Sequence, residues 1–308
     1  MKDPKRIAIV RRNGYGDLVC IAPLVACISE RFPMAEITLF VEERNKALVP
    51  YLFPKHKYVS FGRGSEYLET LKTALKQSPF DLVISSKPSP FKLNNIFLGL
   101  LKSPNKMAVT QGKGWHESFI TTKRPYIQEG HQALRCLQIF DPTIKAIDPA
   151  WLPRCIVKPL ALNLPHPILF FSLINNREAS QLTLERFAAI ANKIHRKRPF
   201  SVVLSAPLQT VFSHRLEMPT HLISLSSFEG FISLLAAVDI VLSGDGGPCH
   251  IAAALQKPQI ALFGKTLPEQ CSPLSPHATT LYDPINVNNI DLALIENALE
   301  SALTKISV

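Results

Sequence analysis

Two carboxylates stand in glycine turns, each just after an apolar run, and both are placed where an α/β protein does chemistry. Asp17 closes Arg12-Asn13-Gly14-Tyr15-Gly16-Asp17, which follows Ile7-Ala8-Ile9-Val10. Asp245 lies in Gly244-Asp245-Gly246-Gly247-Pro248, which follows Ile240-Val241-Leu242. Behind the second turn, Cys249 to Leu255 has the small and apolar residues of a short helix, halted before Pro258. Pro248 near the first helical position costs no hydrogen bond, since the first amides of a helix have no internal partner. Such a helix start, with glycines that let backbone approach a ligand, is a seat for phosphate. Asp245 would repel a phosphate there unless it caps the helix or accepts sugar hydroxyls. Asp17 is either a helix N-cap, worth about 1 kcal/mol, or a general base at the strand's carboxyl edge. At both turns the plainer alternative is that glycine merely turns the chain. A dinucleotide fingerprint is excluded, because Gly14-x-Gly16 is followed by Asp17-Leu18-Val19 with no third glycine.

The elements that must carry these acids alternate. In the first half, strands are expected at Ile7–Val10, Ile37–Val41, Asp81–Ser85 (the third strand) and Met107–Val109. Helices are expected at Leu18–Arg31, Tyr67–Gln77, Phe91–Leu101 and Gly130–Phe140, with His131 near the last one's start. Prolines 142, 149, 153, 159, 165 and 167 then mark a linker. Strands Ile168–Ser172 and Ser201–Ser205 and helices Thr183–Lys197 and Phe228–Val238 lead to the strand-turn-helix-strand unit that contains Asp245. The last helix, Ile290–Lys305, is expected to pack back across the first domain. The reading is α/β, with two doubly wound, Rossmann-like domains over residues 1–158 and 159–308 facing a cleft.

The chain has 308 residues, 46% hydrophobic and 19% charged, which describes a globular protein. No apolar run reaches the roughly 18 residues of a membrane span, and the N-terminus lacks the long apolar core of a signal peptide. The six cysteines form no CxxC pair and no metal spacing. A cytoplasmic protein with free thiols and no metal or cofactor is expected. The net charge of +10 is uneven: residues 1–158 hold 24 Lys plus Arg against 13 Asp plus Glu, whereas residues 159–308 come to −1. The first half therefore expects an anionic partner. Its cations are scattered among prolines and glycines rather than interleaved with aromatics, so nucleic acid is not the expected one. The helix Phe91–Leu101, apolar beside Lys92 and Lys102, reads as core, with docking on a membrane surface as the alternative.

Several separated stretches together resemble glycosyltransferase family 9, the ADP-heptose:lipopolysaccharide heptosyltransferases. Gly16-Asp17-Leu18 with Pro23-Leu24, the run Asp245-Gly246-Gly247-Pro248-Cys249-His250-Ile251-Ala252-Ala253-Ala254-Leu255, and Leu262-Phe263-Gly264-Lys265-Thr266 carry the likeness, and His131-Gln132-Ala133-Leu134-Arg135 adds to it. The resemblance implies the GT-B architecture, with an acceptor-binding N-terminal domain and a nucleotide-sugar-binding C-terminal one. It implies metal-independent, inverting transfer of heptose from ADP-heptose to the inner core of lipopolysaccharide. The partners would be ADP-heptose or a similar donor and an anionic glycolipid acceptor, with peripheral contact at the inner face of the inner membrane.

Carried onto this chain, Asp17 would be the base, with Asn13, Gly14 and Gly16 forming the acceptor-side loop. Asp245, Gly246, Gly247, His250 and Thr266 would hold the donor; a helix-face histidine satisfied in the core is the alternative for His250. The family's lysine that faces the donor phosphates is replaced here by Ser180, and its glycine-proline turn reads Gly264-Lys265. Arg177 or Lys265 would then have to supply the missing charge. Without that charge, the alternatives are a member using another nucleotide sugar, or a non-catalytic protein that binds a glycan or a partner.

Overall fold

The computed structural model describes residues 3–62, 65–77, 79–173, 175, 177–205, 216–223 and 227–306. The chain divides into two compact units, Met1–Pro153 and Arg154–Val308. In the first unit the order is β1 (Arg6–Arg11), α1 (Tyr15–Val19), α2 (Ala22–Arg31), β2 (Glu36–Glu42), α3 (Val49–Leu52), β3 (Lys57–Phe61) and α4 (Ser65–Gln77). Next come β4 (Leu82–Ser85), α5 (Lys92–Leu100), β5 (Asn105–Thr110), β6 (Thr122–Pro125) and α6 (Gln132–Phe140). All pairings are parallel and the sheet runs β3-β2-β1-β4-β5-β6. Ala8, Val10, Phe40, Val83, Phe97 and Leu98 share one buried cluster. Phe97 meets Phe61 and Phe40 edge-on, at 4.9 and 5.2 Å between ring centroids, and its burial alone stabilises by about 2–3 kcal/mol.

The second unit repeats the plan with β7 (Ile168–Ser172), α7 (Leu184–His195), β8 (Ser201–Ser205), β9 (Thr220–Ile223), α8 (Phe228–Ala237) and β10 (Ile240–Gly244). It closes with α9 (Gly247–Ala254), β11 (Gln259–Gly264), α10 (Pro268–Cys271), β12 (Ala278–Asp283) and α11 (Leu292–Ile306). Its parallel sheet runs β12-β11-β10-β7-β8-β9. Read from either sheet's own first strand, both orders are 3-2-1-4-5-6, the doubly wound arrangement in which ligands bind beyond the strand ends where the order reverses. Those switch points fall between β1 and β4 and between β7 and β10. No helix among the described residues is long and apolar enough to cross a membrane.

Two sequence expectations change. The single helix over Leu18–Arg31 is broken at Cys20 and Ile21 into α1 and α2. Pro23 has no amide to offer the carbonyl of Val19 and its ring crowds that carbonyl. Asp81–Ser85 is the fourth strand, because β3 precedes it; β6, β9 and β12 are equally unannounced. All four are partly exposed strands toward the sheet margins, without the continuous apolar run of a central strand. The apolar face of α11 (Ile295, Leu299, Leu303) packs in the second unit's own core. Its polar side bonds α7 through Lys193–Glu296 and the turn after α7 through Lys197–Glu300.

Candidate functional site

In the first unit the sequence lifts Asp17 to the switch point beyond β1. Gly14, extended, caps α1, and Asp17 is the third residue of that helix. It is not the N-cap: its Oδ2 reaches back to accept from the Gly14 amide at 3.1 Å. Its Oδ1 accepts from the Arg11 guanidinium at 2.5 Å and from Gln132 Nε2 at 3.0 Å. Arg11, the last residue of β1, is 1% exposed, while the Asp17 side chain keeps 30% of its surface open. Arg11 also donates to the Ser86 carbonyl at 2.9 Å. Burial works against its charge, and Cys136 and Asp17 more than restore it, so its pKa is raised.

Lys87 follows β4 and bonds the Asn13 side chain at 3.4 Å. Burial, and then the nearby Arg11, hold this amine below the usual lysine range, with Asp17 pulling the other way. Asn13 has φ +151°, an unfavourable backbone for a non-glycine residue, and its carbonyl accepts from buried Asn45. The carboxylate is thus oriented by three donors on three different segments, with one edge left open. A cavity of about 130 Å³, lined by Arg124, Arg135 and Lys145 among others, lies in the same unit.

In the second unit Asp245 follows β10 and the loop carrying Asn175 and Arg177 follows β7, so both flank that sheet's switch point. Arg177 is ion-paired to the buried Asp245 carboxylate and donates to Thr266 Oγ1 at 2.8 Å. Asn175 ties the loop down, donating to the carbonyls of Asp245 (3.1 Å) and Ser180 (3.3 Å) and accepting from the Arg177 amide at 2.9 Å. The two glycines at the strand ends permit this. A Cβ on Gly244 would collide with the Ser180 carbonyl, and one on Gly264 with that of Ala179. Gly246 and Gly247 open α9, whose first amides and positive dipole end lie beside Asp245. Asp245 spends its charge on Arg177 rather than on capping that helix.

The structure therefore gathers Asp245, Arg177, Thr266, Gly246, Gly247 and buried His250 at one strand end. Lys265 sits exposed on the adjoining turn in left-handed backbone, φ +63°. Ser180 is fully buried, with Oγ donating to the Gly264 carbonyl at 3.2 Å, so it is a brace and not a contact for ligand. Asp245, Cys249 and His250 bring one potential metal-binding atom each within 4.8 Å of one another. The carboxylate of that set is committed to Arg177. Burial pushes the Cys249 thiol far above its ordinary range, and the thiol donates to the Gly246 carbonyl at 3.2 Å.

Sequence reasoning missed Arg11 and Gln132 as partners of Asp17, and Asn175 in the second unit. Arg11 did leave a signal, a cation ending an otherwise apolar strand six residues before the acid. Gln132 lay in the run that resembled a family element, but nothing there tied it to Asp17, and Asn175 left no signal; sheet topology brings both in.

Comparison with known proteins finds glycosyltransferases. Residues 157–292 match the family model "Glycosyltransferase family 9 (heptosyltransferase)". The lipopolysaccharide core heptosyltransferase OpsX of Haemophilus influenzae is 21% identical over 320 aligned positions, covering 96% of this chain and 86% of that one. Among solved structures, a family 9 glycosyltransferase from Veillonella parvula superposes with TM-score 0.82 at 15% identity over 98% of both chains. E. coli heptosyltransferase WaaC with ADP gives 0.74 at 17% identity over 96% of this chain and 99% of that one. Residues 157–292 thus match glycosyltransferase family 9, and the chain as a whole shares the two-sheet fold of the solved family 9 and heptosyltransferase structures.

Proposed function

We propose that this enzyme moves a heptose from ADP-heptose to the inner core of lipopolysaccharide with inversion at the anomeric carbon. The observation that carries the reading is Asp17: a carboxylate at a switch point, oriented by Arg11, Gln132 and the Gly14 amide, with one edge open to solvent. Asp17 takes the proton from an acceptor hydroxyl, whose oxygen attacks the anomeric carbon as the bond to the diphosphate breaks and ADP leaves. A single displacement inverts the configuration. Residues 159–308 hold the donor and residues 1–158 the acceptor.

At the donor site, Arg177 and the positive end of α9 receive the negative charge of the departing diphosphate, a role in which no metal is required. The buried position of Ser180 supports Arg177 as the replacement for the family's lysine. Thr266 and Gly246 lie against the sugar and phosphates, and His250 lines the helix side. On the acceptor side, Asn13, Gly14 and Gly16 shape the loop, and Arg124, Arg135 and Lys145 around the neighbouring cavity suit an anionic glycolipid. Such an acceptor requires the enzyme to work in the cytoplasm against the inner face of the inner membrane, as a peripheral visitor. The loss of the family lysine is the one observation that favours a second reading, a different nucleotide sugar as donor.

Thermal unfolding in a panel of nucleotides and nucleotide sugars tests the proposal. A ligand present at about 100 times its Kd stabilises by about 2.7 kcal/mol. ADP and ADP-heptose are expected to raise the Tm, and uridine and guanosine diphosphates to leave it unchanged. Stabilisation by a uridine nucleotide alone would transfer the chemistry to another donor.

A further inference from the structure

The basic half of the chain presents an aromatic and aliphatic surface that the transfer chemistry does not use. On α5, Leu93, Ile96 and Leu100 recur at i, i+3 and i+7 and so share one stripe. Leu93 is 49% and Leu100 46% exposed, whereas Asn94, Asn95, Phe97 and Leu98 are buried on the helix's other sides. Beside the stripe packs a short 3-10 turn, Trp115–Phe119. Phe119 lies so close over Gly99 that a Cβ there would strike its ring, and His116 meets Asn95 at 3.3 Å. Trp115, 64% exposed, stands edge-on to Phe119 at 5.8 Å, and Phe119 is itself 38% exposed.

This surface is built rather than frayed. Glu117 is buried beneath it and accepts from the amides of Gln111 at 2.9 Å and Gly112 at 2.7 Å, clamping the segment that presents Trp115. Lys106 donates to the Gly99 carbonyl at 3.2 Å and fastens the end of α5. The charge around it has one sign. From Leu82 to Gln128 the sequence holds seven Lys and Arg residues and a single acid, Glu117, whose charge is spent inward. Lys92 reaches within 6.0 Å of the Trp115 ring, and Lys113 and Lys102 are exposed close by in sequence. An amphipathic indole, a row of aliphatic side chains and a rim of lysines match a water–lipid boundary with anionic headgroups, where aromatic rings settle at headgroup depth and lysines extend outward.

We propose that the α5 stripe and the Trp115–Phe119 turn form one docking surface for an anionic lipid bilayer, seating the basic unit with Trp115 at headgroup depth. The proposal deepens the membrane contact put forward above, rests on that part of the reading, and is independent of the donor chemistry.

The chain has two tryptophans, so a Trp151→Phe variant reports on Trp115 alone. On vesicles containing phosphatidylglycerol its emission shifts to the blue and is quenched by lipids brominated along the acyl chain. On pure phosphatidylcholine both effects are expected to be weak, and added salt weakens binding to the anionic vesicles. Lys92→Ala and Lys113→Ala each reduce the partition coefficient about fivefold, and Leu93→Ser with Trp115→Ser abolishes vesicle sedimentation. Transfer to a lipid-free acceptor saccharide stays unchanged in that double variant. An unshifted Trp115, or vesicle binding that survives the double variant, overturns the proposal. So does a dimer that this variant dissociates while vesicle binding persists, since a second copy would then be the occupant. Vesicle binding in a wild-type chain that transfers no sugar to any acceptor would sink the transferase reading and leave the docking surface standing.

Discussion

Replacing Asp17 by Asn separates the chemical role of this carboxylate from its structural one. The amide keeps an oxygen for Arg11 and Gln132, but its NH₂ group now faces the Gly14 amide, donor against donor, where Oδ2 had accepted at 3.1 Å. The fully buried Arg11 loses its counter-charge and retains the Ser86 carbonyl. Breaking a buried ion pair from one side costs about 3–5 kcal/mol. Because the Asp17 side chain is 30% exposed, solvent screens part of that, and a loss of about 2 kcal/mol is expected. For a unit of this size that lowers Tm by about 4–8 °C. Turnover, measured as ADP release well below the shifted Tm, falls about 10²- to 10⁴-fold. Arg11→Met supplies the control: it removes the orienting cation, lowers stability, and leaves a carboxylate able to take a proton. Near-normal turnover in Asp17→Asn would remove this acid from the mechanism. A fall in turnover no larger than that of Arg11→Met would reduce it to a structural partner of the arginine.

Three further outcomes follow from the geometry. Arg177→Met removes a charged donor that is itself 58% exposed, so the loss of ADP affinity by calorimetry is expected near the low end for charge-assisted bonds, about tenfold; combining it with Asp245→Asn recovers the Tm lost by stranding the buried carboxylate. Gly244→Ala drives a methyl group into the Ser180 carbonyl and costs about 1–3 kcal/mol by thermal unfolding, and it weakens ADP binding by displacing the loop that carries Arg177. Burial alone would raise the Glu117 pKa, but the amides of Gln111 and Gly112 outweigh it and the pKa is lowered. Its stabilisation is therefore complete above the ordinary glutamate value of about 4.3 and is lost as pH falls through the lower native one. Trp115 emission in the Trp151→Phe background reports this acid transition, which Glu117→Gln eliminates.

The central strands were legible because strands buried on both faces read as unbroken apolar runs: Ile7–Val10 and Ile168–Ser172 fell within a residue of β1 and β7. The strands at the sheet margins were not, since Thr122–Pro125 and Thr220–Ile223 are half-solvated and carry no such run. Asp17 and Asp245 were legible as acids in glycine turns, a pattern that needs a reason. Their partners were not, because Gln132 meets Asp17 from 115 residues away and Arg177 meets Asp245 from 68, through strand order rather than spacing. The break between α1 and α2 was written in Pro23 and is explicable from that residue alone. The fate of the missing lysine needed the fold, because only the burial of Ser180 beside Gly264 makes it a brace.

Acceptor-dependent release of ADP from ADP-heptose, with the anomeric configuration of the product read by NMR, tests the central claim most directly. The account predicts that ADP appears only when an inner-core acceptor is present, that the new glycosidic bond is inverted relative to the donor, and that chelators leave the rate unchanged. Release of ADP without acceptor, retention of configuration, or no heptosyl product from a chain that binds ADP would contradict it.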